Sequence, residues 1–573
     1  MTPPRQPFDL ETLETLLERT PGNGRAKLLP LLLEAQKEWG YLPEKSVEAI
    51  SQALRVPVAE IHGVIEFYSM LYRRPAGRTI VRICEGPMCA QAGARQILEA
   101  ACRHLGVTEG EPTENGEYMV ESVHCLGLCD HAPAALVGEV PVANITAEDL
   151  QGWIATPQAA PLGKVGGEPR WLTARCGSME PLDLQSYEKS GGFSGLKKAL
   201  QGLEPAEVIE AIKASGLVGR GGAAFPTGLK WEYTAGAPGD TRYVVCNGDE
   251  SEPGTFKDRV LMEGDPFAVL EGMLLAGYAV GARRGYLYVR GEYSRAQRIL
   301  SQAIERAREV GYLGPKVLGS DFEFDIELRS GAGAYICGKE TALFESIEGK
   351  RGFPRLKPPF PTTYGLFGQP TVINNVETLV AAAWIIQHGP EAYRSVGTDE
   401  SPGSKLFCVS GDVEMPGVYE VPFGTKLREL VDLAGGPHGQ IQAVLLGGAA
   451  GAFAKPDELD LPMSFEGLRQ AGLPLGSGVV TVINTERDMR IFLVSLAHFF
   501  AHESCGKCFP CQLGTQRQLE IVSAWANGSA SRGDLAALQD VGYAMTQASF
   551  CGLGMTAGTA ILSAFEKWPD LWG

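Results

Sequence analysis

The chain has 573 residues, enough for two to four domains with several buried cores. Hydrophobic residues make up 44% and charged residues 21%, an ordinary globular balance. A formal net charge of −17 argues against a nucleic-acid binder, because nucleic acid is itself a polyanion. The opening MTPPRQPFDLETLETLLERT has no apolar stretch behind a basic start, so no secretory signal is expected and the chain is placed in the cytoplasm.

Helical patterning runs from Ala26 to Gln36, from Lys45 to Leu54, and from Val58 to Tyr68 after Pro57, so residues 1–77 read as an N-terminal helical region. Between 78 and 150 the texture changes. An alternating strand Arg78 to Cys84 precedes a helix Ala92 to Leu105 and strand candidates at Tyr118 to Cys125 and Ala134 to Gly138. That order predicts a small α/β domain of thioredoxin-like size. Residues 151–170 are rich in Gly, Pro and Ala and read as a linker. Strands, Gly-rich loops and helices alternate over 171–403, as in a large α/β domain. Residues 404–485 carry short strands (Val418 to Val421, Ala443 to Gly447) and a helix at Leu427 to Leu433, which fits a compact α+β domain. Residues 486–573 read as mainly helical. The longest apolar runs, Phe267 to Ala282 and Val376 to Gln387, are too short or carry an acid, so they read as buried helices and no membrane span is expected.

Eight of the 13 cysteines fall into two groups with defined gaps. The first is Cys84-x4-Cys89, then Cys125-x3-Cys129 after 35 intervening residues, with each pair in a loop at a strand end. Four thiolates suit either zinc or a 2Fe–2S cluster, and spacing alone leaves both open. The second is Cys505-x2-Cys508-x2-Cys511, with Cys551 after a further 39 residues. Three ligands in a tight loop and a remote fourth match the corners of a 4Fe–4S cube, whereas two successive x2 gaps crowd a zinc tetrahedron. Pro510, before the third ligand, predicts an extended loop there. Cys102, Cys176, Cys246, Cys337 and Cys408 are isolated and read as small buried thiols.

Gly219-Arg-Gly-Gly-Ala-Ala-Phe-Pro-Thr-Gly-Leu-Lys230 is a Gly-rich loop with two cations, able to bring backbone N–H groups to a phosphate. It lacks the Lys-Ser/Thr of a P-loop, and a purely structural loop remains an alternative. Asn247-Gly-Asp-Glu-Ser-Glu252 follows the strand Tyr243 to Cys246 and makes a polar strand-end loop, or a plain acidic turn. Gly331 to Leu343 is a second Gly-rich loop opening a helix, followed by Lys357-Pro-Pro-Phe360 and Asn374-Asn375.

In this order, with both cysteine groups, these motifs resemble the NADH-oxidising module of respiratory complex I and its soluble relatives, over nearly the whole chain. Residues 20–150 resemble its small 2Fe–2S subunit and 171–573 its flavoprotein subunit, here fused. The resemblance implies a 2Fe–2S cluster at Cys84, Cys89, Cys125 and Cys129 in a thioredoxin-like domain, and a 4Fe–4S cluster at Cys505, Cys508, Cys511 and Cys551 in a C-terminal helical bundle. It implies FMN at Gly219, Arg220, Gly221, Gly222, Lys230, Asn247, Asp249, Glu250, Ser251, Gly338, Asn374 and Asn375. NADH is expected to stack on the flavin beside Phe225 and Phe360, with Glu252, Tyr335 and Glu340 nearby; the 404–485 segment resembles the family's ubiquitin-like domain. The sequence departs from the family pattern at Ala224 and Gly248, where Gly and Ala are usual, and at Lys339, where an acid is usual.

The implied function is hydride exchange between NAD(H) and FMN, with single electrons relayed through the clusters and no side chain acting as general base. The implied partners are other redox subunits: a formate dehydrogenase first, then a nickel–iron hydrogenase, then complex I. The rival classes are a zinc-stabilised scaffold protein and a self-contained diaphorase without a partner.

Overall fold

The large α/β domain is organised by a four-stranded sheet in the order Asp325–Ser330, Arg284–Val289, Tyr243–Gly248, Thr371–Asn375, all parallel. Both faces of such a sheet must be covered by crossover helices, which explains the two apolar runs of the sequence. Pro266–Val280 and Val376–His388 are the covering helices, buried over nearly their whole length, and they pack on each other. Because the strands run in one direction, their C-terminal ends, Gly248, Val289, Ser330 and Asn375, share one edge, where an open α/β sheet places its ligand.

The protein is described by a computed structural model covering residues 7–572. Helices Leu28–Trp39, Glu44–Leu54 and Val58–Ile65 lie where periodicity puts them, and Leu10–Arg19 is a further amphipathic helix ahead of them. The thioredoxin-like domain has the strand order Tyr118–Val123, Thr79–Cys84, Ala135–Val137, Val140–Val142, its first pair parallel and the rest antiparallel, with helix Ala94–Leu105 alongside.

The segment 151–170 is more than a connector. Lys164–Gly166 pairs in parallel with Gly417–Pro422 and forms the edge of a six-stranded sheet otherwise built from residues 404–484. Gly at 166 and 167 lets this strand approach Tyr419 and Glu420 closely, which is the use of the Gly content that composition presents as flexibility. Helices Met489–Glu503, Phe509–Ala526 and Arg532–Ala548 make the C-terminal bundle. Pro510 lies in the first turn of Phe509–Ala526, not in an extended loop, because its missing N–H is harmless there. Among the described residues no helix is long and apolar enough to cross a membrane.

Candidate functional site

The shared edge of the parallel sheet opens into a cavity of about 860 Å3. Gly221, Gly222, Asn247, Asp249, Glu250, Ser251, Glu252, Tyr335, Gly338 and Asn375 border it, so the three motif loops and Asn375 converge although they span more than 150 residues of sequence. The convergence has visible causes. Asn247 Nδ2 donates to the Gly338 carbonyl at 2.7 Å, tying the acidic loop to the second Gly-rich loop. A Cβ on Gly338 would lie 3.3 Å from the Asp249 carbonyl, so close approach favours glycine there. A Cβ on Gly221 would sit 3.3 Å from that of Asn375.

Other expected residues lie elsewhere. Gly219 holds its loop through a hydrogen bond to the Phe225 carbonyl at 2.9 Å and does not border the cavity. Arg220 is 1% exposed; its guanidinium donates to Tyr393 and lies 4.5 Å over the Phe423 ring. Lys230 Nζ donates to the Ile373 carbonyl at 3.0 Å, and burial lowers its pKa. Asn374 accepts from the Trp231 indole at 2.9 Å. These side chains build the walls from behind instead of facing the cavity. Phe225 and Phe360 are exposed and lie outside it, with Lys230 Nζ 5.9 Å over the Phe225 ring. Glu340 is paired with Lys357; burial raises its pKa, but Lys230, Lys357 and Lys339 together outweigh that and hold the carboxyl below its usual range.

Sequence reasoning missed several cavity residues. Lys257 and Asp258 border it and belong to a buried network: Lys257 Nζ lies 2.7 Å from Asp258, 2.9 Å from Glu377 and 3.2 Å from Asn375 Oδ1. Asn375 Nδ2 donates to Asp258 at 2.6 Å, so both ends of this amide are fixed. The 404–485 domain supplies a wall, with Gly447, Ala450, Phe465, Arg469 and the loop from Gly472 to Ser477. No motif marks these positions; only the turn of that domain toward the sheet edge brings them in. The carboxyls on the cavity are perturbed in the direction desolvation dictates. Burial pushes Glu252 up to about 7 and Glu250 up to about 8, and raises Asp249 well above its ordinary value.

The two cysteine groups flank the cavity. Cys84, Cys89, Cys125 and Cys129 line one pocket with Pro253 and Gly254, so the cavity loop Glu252 to Thr255 is the partition between them. A Cβ on Gly86 would lie 2.6 Å from the His124 carbonyl, and the Gly127 N–H donates to Cys125 Sγ at 3.3 Å. Arg290 donates to the Cys125 carbonyl at 2.7 Å and to the Glu250 carbonyl at 2.8 Å, and Arg259 pairs with Asp130 at 2.8 Å. The large domain thereby grips the ligand loop of the small one.

Cys505 follows helix Met489–Glu503, Cys508 caps helix Phe509–Ala526, Cys511 lies in its first turn, and Cys551 caps Gly552–Thr556. The Phe550 N–H points at Cys508 Sγ at 3.5 Å, and a Cβ on Gly554 would sit 2.8 Å from that of Cys511, which seats the remote fourth thiol against the tight loop. Burial raises the Cys505 and Cys551 thiols and pushes Cys511 up to about 12, and the neighbouring Cys508 adds to the rise in each. Gly552 and Leu553, next to Cys551, border the cavity. Among the described residues no three His, Cys, Asp or Glu side chains converge tightly enough for a single metal ion. The donor sets, all thiols and N–H-lined, fit the larger inorganic core of an iron–sulfur cluster, whose sulfides space the ligands apart.

Residues 212–384 match the Nuo51 FMN-binding domain, 13–158 a thioredoxin-like [2Fe-2S] ferredoxin, 492–572 the NADH-ubiquinone oxidoreductase-F iron-sulfur binding region and 406–446 the SLBB domain. The chain is 47% identical to the F 2 component of the NADH-quinone oxidoreductase of Rhizobium meliloti, over 67% of this chain and 92% of that protein. It is 36% identical to the alpha chain of the NAD-reducing hydrogenase HoxS of Cupriavidus necator, over 98% of this chain and 93% of that one. A crystal structure of an NAD+-reducing [NiFe]-hydrogenase in the air-oxidized state contains a chain that superposes with a TM-score of 0.84 at 34% identity, covering 95% of this chain and 92% of that one.

Proposed function

The chain belongs to the family that unites the flavin-binding component of NADH-quinone oxidoreductases with the alpha chain of NAD-reducing hydrogenases, and from that premise we propose that its 860 Å3 cavity binds FMN and NAD(H) and feeds two iron–sulfur clusters. The observation that carries this reading is the position of the cavity: it lies at the C-terminal edge of the parallel sheet, with one thiol quartet behind the Glu252 loop and the other one residue from Gly552. When bound, FMN would exchange a hydride with the nicotinamide and pass electrons singly to the clusters.

The chain's own residues do the positioning. The backbone of Gly221, Gly222 and Gly338 gives close approach to a planar ring and its side chain. Asn247 and Asn375, each fixed by hydrogen bonds, hold the loops that frame it. The Glu252 carboxyl, pushed by burial up to about 7, can hold or give up a proton at its Oε atoms on the cavity wall. Glu340 and Phe360, beside Lys357 and outside the flavin cavity, are the places for the adenosine end of the dinucleotide.

The partner is another redox protein. Phe509, Leu513, Tyr543 and Met555 are exposed around the C-terminal thiol group, an apolar face suited to a docked protein. By resemblance alone, the fused architecture and the segment Cys551 to Ala557 put formate dehydrogenase first. Full-length likeness to hydrogenase alpha chains favours a nickel–iron hydrogenase instead, with formate dehydrogenase second and complex I third.

Purification from the native source, followed by hydrogen-, formate- and quinone-linked NAD assays, decides among them. Hydrogen-dependent NADH formation is expected; formate-dependent formation alone would reverse the order. Anaerobically purified protein should hold FMN that NADH bleaches, with about six irons per chain. Stoichiometric zinc with little iron would overturn the cluster assignments.

A further inference from the structure

A flavin phosphate or a dinucleotide pyrophosphate held by backbone N–H groups is bound more tightly when a cation also meets it, and the two cations of the first Gly-rich loop do not supply one. Arg220 is turned into the core against Tyr393 and Phe423, and Lys230 is buried against the Ile373 carbonyl. Three other cations border the cavity: Lys257, Lys339 and Arg469. Lys257 has spent its three N–H donors on Asp258, Glu377 and Asn375. Lys339 stands at the start of the helix Glu340–Ile347, with Glu340 beside it.

Arg469 comes from the other side of the cavity, at the end of the short helix Phe465–Gln470. It is exposed, and among the described residues its guanidinium has no ion-pair or hydrogen-bond partner. The loop that follows it packs against the first Gly-rich loop: the direction of a Cβ on Gly222 ends 3.8 Å from the Gly476 backbone. The N–H-bearing loop and an uncommitted guanidinium therefore face one cavity. Four carboxyls, Asp249, Glu250, Glu252 and Asp258, also border it, so an anion entering there depends on such a cation.

We propose that Arg469, supplied by the 404–485 domain, is a phosphate-binding residue of this site, closing on a phosphoryl group held at the first Gly-rich loop. A guanidinium suits the task because its planar fork meets two phosphate oxygens at once. The phosphoryl group belongs either to FMN or to the dinucleotide, and the chemistry at Arg469 is the same. The inference rests on the flavin and NAD(H) reading of the cavity and extends it to a domain that the sequence motifs leave without a role.

The test uses the full-length protein, stripped of flavin and reloaded. FMN and riboflavin are titrated into wild type, Arg469→Gln, Arg469→Glu and Arg469→Lys, and NADH:ferricyanide kinetics are measured on each holoprotein. If Arg469 holds the flavin phosphate, Arg469→Gln weakens FMN about tenfold, leaves riboflavin unchanged, and Lys restores part of the loss. If it holds the dinucleotide, the KM for NADH rises about tenfold at unchanged kcat and unchanged FMN affinity. In either case Arg469→Glu is worse than Gln. Wild-type values for both FMN and NADH in the Gln and Glu variants would overturn the proposal. Failure of wild type itself to bind FMN would instead overturn the reading on which it rests.

Discussion

Glu377 lies in the first turn of the buried helix Val376–His388 and answers two ammonium groups at once. Its carboxylate lies 2.9 Å from Lys257 Nζ and 2.6 Å from Lys405 Nζ, and it accepts the Leu406 N–H at 3.0 Å. All three charged side chains have 0% exposure. Glu377→Gln keeps the shape and the acceptor for Leu406 but removes the charge. Lys257 then still has Asp258 and Asn375, whereas Lys405 has only the Leu406 carbonyl at 2.9 Å. Lys405 is therefore the group that yields its proton; burial already holds it down to about 8 against the pull of Glu377. Removing one partner of a buried pair costs about 3–5 kcal/mol, and a loss of that size is expected at neutral pH.

The pH dependence carries a sign. An unfolded lysine titrates near 10.4, so wherever the folded pKa lies below that, the unfolded chain binds more protons and stability rises with pH. In the wild type that rise starts near 8. In Glu377→Gln it starts lower, at about 1.4 kcal/mol per pH unit. Guanidinium unfolding followed by tryptophan fluorescence, from about pH 6 to about pH 9, reads both effects. Equal slopes below pH 8 in variant and wild type would show that Glu377 does not support Lys405.

Three other outcomes are expected. Ala224 holds φ at 51°, where the family has glycine; Ala224→Gly should relieve about 1 kcal/mol of left-handed strain, less the freedom glycine adds to the unfolded chain, and a lower denaturant midpoint would show that the Cβ packs usefully. Cys551→Ser should remove the 4Fe–4S signal and delivery to the partner while NADH still bleaches the flavin; partner reduction at the wild-type rate would mean that this cluster is not an obligatory relay. Lys339→Glu should widen the preference for NADH over NADPH by about 1 kcal/mol in kcat/KM, because Lys339 and Lys357 now offset the charge of Glu340; an unchanged ratio would place Lys339 away from the adenosine phosphate.

The grouping of the thiol ligands and the order of the elements were legible in the sequence. Gaps of four and three around one thiol set, and two x2 gaps around the other, constrain how few atoms can lie between ligands, and that is a local property of the chain. Likewise Pro266–Val280 and Val376–His388 announce themselves as buried helices, since apolar side chains all round leave no face for water. What the sequence could not decide is which way a side chain faces once loops meet. Arg220 and Lys230 carry the right charge in the right loop, yet both serve the wall: the Arg220 guanidinium is packed against Tyr393 and Phe423, and the Lys230 ammonium donates to the Ile373 carbonyl. Lys257, Asp258 and Arg469 carry no motif and yet border the cavity. They arrive through long-range packing, the parallel sheet edge on one side and the 404–485 domain folded against it on the other, and no local pattern encodes a contact that depends on how separate cores are joined.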